Sequence, residues 1–189
     1  MKLVALLATS VLASTSLAHA EADTDPTPAA APRLHLDLEV DPTAYVFSGW
    51  SVHAGIGWDK FRLDLGTYAM DIPELLHGNE GWDASFYGGG AKLQYFPLAV
   101  QEKLFVDASV GWSRQETTLR ETGSSTHQSG FGLGIDAGWR FALPYNLYAT
   151  PWAGISYGFD SADAMLDGKE FKMSRWTPFA AVHLGYRFR

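Results

Sequence analysis

The chain has 189 residues, no cysteine and a formal net charge of −7. That is one domain's worth of chain held without disulfides, and an acidic balance with no basic run excludes a nucleic-acid surface. Aromatic residues at 14% together with 19 glycines suit a β-rich chain, where rings pack on pleated faces and glycine relieves crowding.

Lys2, the mostly apolar run from Leu3 to Leu12 and the small-x-small triplet Ala18-His19-Ala20 predict a secretory signal over residues 1–20. The apolar run falls far short of the ~20 residues a transmembrane helix needs. Residues 21–32, EADTDPTPAAAP, are acidic and Pro/Ala-rich and predict a flexible lead-in. The fold proper is assigned to residues 33–189.

From there the period is two almost everywhere. RLHLDLEV sets Leu34, Leu36, Leu38 and Val40 against His35, Asp37 and Glu39. WSVHAGIGW and FRLDLGTYA follow, joined by the tight turn Asp59-Lys60. Next come DASFYGGGAKLQYF, LFVDASVGW, SGFGLGIDAGWRF and NLYATPWAGISYGF, and the last is TPFAAVHLGYRFR. Eight strands result, with no helical period of useful length. Short connections (98–101 and 142–145) alternate with longer polar ones (41–49, 71–82, about 115–127 and 160–173). An even strand number with short turns at one end and long loops at the other is the pattern of an outer-membrane barrel.

Three features set the apolar parity outward. It carries no charge in any of the eight strands, as hydrocarbon demands, since a charge at mid-bilayer costs a barrel roughly 2–4 kcal/mol. The other parity is rich in Gly and Ser, which suits a narrow interior and not a solvent face. Aromatics gather at both strand ends: Trp58, Phe61, Tyr95, Phe141, Tyr186 and Phe188 at one, Trp50, Trp112, Phe131, Phe159 and Trp176 at the other. The fold predicted is all-β, an eight-stranded antiparallel up-and-down transmembrane β-barrel.

Over about Arg33 to Phe188 the chain resembles the small eight-stranded outer-membrane β-barrels of Gram-negative bacteria, of the OmpA-barrel and OmpX type. Its last strand, with Tyr186 and then Phe188, resembles that family's insertion signal, although the family normally ends on the aromatic and here Arg189 follows. The resemblance implies outer-membrane lipid and lipopolysaccharide as surroundings, barrel-assembly machinery as partner, a monomer with both termini in the periplasm, and no cofactor.

The inward parity carries His35, Asp37, Glu39, His53, Arg62, Asp64, Lys92, Asp107, Asp136, Arg140, Arg175, His183 and Arg187. Five acids against five bases favour internal pairing over a charged pore. A four-residue turn at 98–101 puts Lys92 opposite Asp107, and closure of the last strand on the first brings Asp37 and Glu39 near His183 and Arg187. Pro151 and Pro178 fall inside neighbouring strands and predict weakened pairing or a bulge there, a candidate lateral gap for lipid. Trp152, Phe179, Phe86, Tyr68 and Met70 point inward toward the long-loop half, as the lining of an apolar pocket or as filling. His53, Ser51, Ser109 and Asp107 share the inward parity, but no nucleophile motif surrounds the serines, so no catalytic residue is assigned. Asp160, Asp163 and Asp167 lack calcium-loop spacing, and no metal site is assigned. QETTLRETGSSTH reads as a polar, mobile loop. The expected role is structural or surface-interaction, through long extracellular loops over a packed polar lumen. A lipid-handling barrel, as enzyme or binder, is the alternative, and a narrow channel is the second.

Overall fold

The computed structural model describes Leu34–Phe188. The expected signal and lead-in, Arg33 and Arg189 lie outside the described residues. In chain order the elements are β1 (Leu34–Val40), α1 (Pro42–Val46), β2 (Trp50–Trp58), β3 (Phe61–Ile72), α2 (Glu74–His77), β4 (Trp82–Tyr95), β5 (Lys103–Leu119), β6 (Ser125–Ala142), β7 (Leu147–Gly158), β8 (Ala164–Leu166), β9 (Lys169–Phe171) and β10 (Trp176–Arg187). Neither helix is long enough to cross a membrane.

Eight strands pair antiparallel with their neighbours, and β10 pairs with β1, so the sheet closes into a barrel. Over the height of β1 closure leaves no sheet edge, which is what a β-structure in hydrocarbon requires. The pairing also sets the tilt. One row of partners runs from Glu39 through His53, Gly66, Gly90, Gly111, Gly132 and Gly158. It reaches Arg175, whose carbonyl accepts the Gly158 N–H at 2.9 Å. Glu39 itself pairs with Gly185, ten residues further on. That shear of ten over eight strands tilts the strands by about 40° from the barrel axis.

Burial alternates with the same parity, but inverted relative to a water-soluble sheet. Along β2 the apolar Trp50, Val52, Ile56 and Trp58 are exposed, while Ser51 and His53 are buried. Two aromatic girdles bound the apolar face. At the short-turn end Trp58 meets Phe61, Phe61 meets Tyr95 and Tyr186 meets Phe188, with centroids 5.1–6.2 Å apart. At the other end Tyr87 meets Trp112 at 6.0 Å and Tyr157 meets Trp176 at 4.9 Å. Phe131 and Phe141 stand ten positions apart on β6, which at this tilt spans about 25 Å, the height of a lipid-facing band.

Four sequence expectations change. The segment read as a mobile loop, about 115–127, is mostly strand: β5 runs to Leu119 and β6 starts at Ser125. The alternation vanishes there because the wall has risen past Trp112 and Phe131, and its outer face now carries Arg114, Glu116 and His127. The loop over 160–173 holds a separate hairpin, β8–β9, turned on Asp167 and Gly168 at φ 49° and 77°. The segments 41–49 and 71–82 each fold one short helix. Finally, no bulge forms at the prolines. The β7–β10 ladder runs regularly through Val182↔Pro151 and Pro178↔Ile155. Beside Pro151 the β6–β7 ladder lapses between Gly138↔Trp152 and Phe141↔Ala149, then resumes in the same register. A missing N–H costs a ladder bond without requiring an extra residue.

Ile135 lies midway along the lipid band of β6 and is 67% exposed. Ile135→Arg is expected to lower barrel stability in a bilayer by about 2–4 kcal/mol, read from reversible denaturant titration in vesicles.

Candidate functional site

The lumen holds two layers of buried side chains with a cavity above them. At the short-turn end the rings of Phe96 and Phe105 pack 5.5 Å apart, both fully buried. Gln101, also buried, donates through Nε2 to the carbonyl of Asp59 at 2.9 Å and to that of Phe61. Arg187 donates to the Gln101 carbonyl at 3.1 Å. Phe105 and Arg187 reach this layer from the inward faces of β5 and β10, while Phe96 and Gln101 come from the 96–102 connection turning into the barrel, a placement that strand parity does not address.

Above it sits a charged layer. Arg62 donates through Nε to both oxygens of Asp37, at 3.0 and 3.1 Å, and through Nη1 to Gln94 Oε1 at 2.9 Å. It also pairs with Asp64 at 2.8 Å and Glu39 at 3.3 Å. Arg140 donates to Glu39 at 2.8 Å and to Thr150 at 3.3 Å, and its guanidinium lies 4.4 Å over the Tyr148 ring. Glu39 further binds His183 Nδ1 at 2.9 Å. Buried cations held bidentately by several carboxylates are the arrangement in which such pairing offsets desolvation. The inward glycines leave the space. A Cβ on Gly55 would fall 2.2 Å from Asp37 Oδ1 and 2.3 Å from the Arg62 guanidinium.

The predicted lumen residues divide as follows. Asp37, Glu39, His53, Arg62, Asp64, Arg140 and His183 are buried and meet in this layer. His35 stands over Gly57, half-buried below it. Lys92 does not meet Asp107. The β4–β5 register pairs Lys92 with Ser109 and Gln94 with Asp107, two residues off the sequence expectation, because 96–102 is longer than a four-residue turn and takes positive φ at Gln101. Lys92 Nζ instead donates to Asp136 at 2.8 Å and sits 3.6 Å over the Trp152 ring, while Gln94 donates to Asp107 at 3.2 Å. Arg175 is not in the lumen. It follows the β9 hairpin, is exposed, and reaches the Tyr157 hydroxyl at 3.4 Å. Tyr186 and Phe188 face outward, and the Phe188 N–H bonds the Leu36 carbonyl at 2.8 Å, extending the closing seam.

Over the charged layer opens a cavity of about 760 Å³. The row of five glycines from Gly66 to Gly158 lines it, so five adjacent strands contribute no side chain at that height. Tyr68, Met70, Phe86 and Phe179 supply apolar wall, and His53, Asp64 and Lys92 lie at its polar floor. Beneath it Ser51 Oγ, buried behind the cavity wall, is 2.8 Å from His53 Nε2, and His53 Nδ1 is 2.8 Å from Asp64 Oδ1. Sequence reasoning weighed Ser51 and His53 with Asp107 and missed Asp64. The signal was present: the Asp59-Lys60 turn pairs His53 with Gly66, which makes Asp64 the diagonal neighbour of His53.

The barrel wall is lowest beside this site. The β1–β2 pairing stops at Val40↔Val52 and the β1–β10 pairing at Val40↔Leu184. Ser51 on β2 and the stretch Trp176–His183 of β10, which holds Pro178, therefore have no β1 partner. The helix α1 lies between them, capped by Asp41 and linked to β10 by the Val182 N–H to Thr43 Oγ1, 3.4 Å. On the opposite side the long loops build a roof around Trp82, Ala84, Leu119, Ala164 and Phe171. Partial burial beside Phe171 pushes the His77 imidazole pKa down. The hydroxyls of Thr122 and Ser124 donate to Asp167 at 2.6 Å, which ties the β5–β6 tip to the hairpin and lowers the carboxyl pKa. Among the described residues no group of His, Asp and Glu has metal-site geometry.

A closed barrel with an uncharged, girdled outer face and a charged interior defines an outer-membrane β-barrel. Residues 77–174, just over half the chain, match the family model of the autotransporter beta-domain, and the chain belongs to that family. No curated protein matches it significantly. Among solved structures it is similar to Neisserial surface protein A, at 16% identity and TM-score 0.47, covering 82% of this chain and 94% of that one. A major outer membrane protein from Thermus thermophilus has 13% identity and TM-score 0.47, covering 84% and 100%. Ail, the attachment invasion locus protein of Yersinia pestis, has 12% identity and TM-score 0.42, covering 84% and 99%.

Arg62→Met leaves three buried carboxylates without their shared cation and is expected to cost about 3–5 kcal/mol, measured by the same vesicle titration. Deleting the Asp167 carboxyl unties the roof, so Asp167→Ala should speed tryptic cleavage after Arg120 while the heat-modifiable gel shift of the barrel stays intact. The depressed carboxyl pKa gives the sign of the pH effect. The tie holds above the ordinary carboxylate range and is lost only as pH falls through the lowered value.

Proposed function

We propose that this barrel is a non-conducting outer-membrane protein whose role is structural and surface-interacting, exerted through the roofed loops above the long-loop end. The single observation carrying this reading is the closed lumen. Two stacked layers, Phe96–Phe105–Gln101 and Arg62–Arg140 with their carboxylates, are buried across the interior. A narrow channel needs a continuous water column there, and these side chains fill it. The roof supports the surface half of the reading: α2 holds Leu75 and Leu76 out at 85% and 65% exposure, and the β8–β9 hairpin does the same with Met165. In this reading the loops face outward, both termini face the periplasm, lipid and lipopolysaccharide surround a monomer, and Tyr186 with Phe188 serves the assembly machinery.

A second reading is favoured by one observation, the low wall between β10 and β2. It opens the upper cavity sideways to the outer leaflet wherever α1 moves aside, beside Pro178 and not at a bulge of Pro151. Lipid access there is compatible with a plugged lower lumen.

Purified protein in planar bilayers should show no conductance steps, and Phe96→Gly combined with Phe105→Gly should remain silent while Arg62 and Arg140 hold. Steady channel openings from the unaltered protein would refute the plugged-lumen reading.

A further inference from the structure

Ser51, His53 and Asp64 form a hydrogen-bonded chain that the plugging layer does not require. Arg62 already compensates Asp64 through Oδ2, which leaves Oδ1 for His53. An ionised carboxylate only accepts, so His53 Nδ1 carries the proton. In the neutral ring Nε2 is then an acceptor, and the Ser51 hydroxyl is the donor to it. Both contacts are 2.8 Å, within the reach expected of a nucleophile, its base and the group that orients the base. His183 packs against the His53 ring at 4.6 Å and Trp152 against His183 at 5.6 Å. The indole N–H of Trp152 is buried with no hydrogen-bond partner among the described residues, a donor of the kind that a developing oxyanion recruits.

We propose that Ser51 and His53 are catalytic residues of an ester-hydrolysing site in the upper lumen, with Asp64 as positioning residue. The substrate class follows from the walls. The cavity of about 760 Å³ that His53 and Asp64 border is lined by Tyr68, Met70, Phe86 and Phe179, so it takes the apolar acyl group of a carboxylic ester. Ser51 itself lies on β2 beyond the last β1 pair, under α1, where the wall is closed by a five-residue helix and not by a ladder.

The chemistry balances with water as co-reactant. Ser51 Oγ bonds the ester carbonyl carbon while its proton passes to His53 Nε2. The ester C–O bond then breaks and the alcohol leaves with that proton. Water attacks the acyl-serine, giving its proton to His53 and then to Ser51 Oγ, and the carboxylic acid departs. The substrate route rests on the lateral-access reading, but the chemistry at Ser51 does not, and the experiment separates them.

Folded protein, checked by its heat-modifiable gel shift, is treated with a short alkyl fluorophosphonate and mapped by mass spectrometry. The expected result is one adduct, on Ser51, absent in Ser51→Ala and formed roughly 100-fold or more slowly in His53→Gln. Asp64→Asn should slow labelling steeply, and Asp64→Glu, which keeps the carboxylate, should restore it in part, both with the heat-modifiable gel shift intact. A purely structural Asp64 would leave the labelling rate of folded protein unchanged in both variants. No adduct on Ser51, in the native chain or in a Thr43→Ala, Pro42→Gly variant that loosens α1, overturns the proposal. Hydrolysis of soluble octanoyl esters together with phospholipid in vesicles supports both chemistry and route. Hydrolysis of the soluble ester alone retains the site and overturns lateral access.

Discussion

Arg62 is the residue on which the interior turns. Its guanidinium is fully buried among Asp37, Glu39 and Asp64, in a chain whose outer face meets hydrocarbon. A charge on that outer face is expensive, so charges collect inside, where the only compensation is one another. Every other feature of the layer follows from housing this side chain. Gly55 lacks a Cβ because the guanidinium occupies its place, and Gln94 bridges Arg62 to the carboxylate of Asp107. Arg140 supplies the second cation that Glu39 needs.

The same economy of space produces the cavity. A shear of ten makes this eight-stranded barrel wide enough to hold a filled lower half and an open upper half. What separates the halves is side-chain volume along one tilted row. Where the row holds Glu39 and His53 the interior is packed, and where it holds five glycines it is open. The site at Ser51 lies at that boundary, with the charged layer as its floor. Arg62 pairs with Asp64 through Oδ2 and His53 through Oδ1, so the plug and the proposed chemistry share one carboxylate through its two oxygens.

Strand parity made much of this legible. Eight segments with an uncharged apolar face can satisfy hydrocarbon only as a closed sheet, so the barrel and its inside-out burial follow from pattern alone. The pairing of Gly57 with Arg62 was readable because a two-residue turn sets register rigidly. The partner of Lys92 was not, because residues 96–102 fold inward and shift the register by two, which moves Lys92 from Asp107 to Asp136. Arg175 shares the inward parity of β10, yet the strand begins one residue later and the side chain emerges into the loops. The tops of β5 and β6 looked like loop because, above the girdle, no lipid enforces alternation.

The sequence by itself determined the strand count, the lipid-facing parity, the two girdles and which strand residues face inward, since each is a local consequence of a two-residue period against hydrocarbon. Only the tertiary structure decided which lumen residues touch. That depends on the shear and on the length of each turn, which place residues 101 positions apart, such as Glu39 and Arg140, at 2.8 Å. It also decided where the wall stops. Residues 41–49 fold into a helix instead of prolonging β1, and that choice leaves Pro178 and Ser51 beside the same low seam.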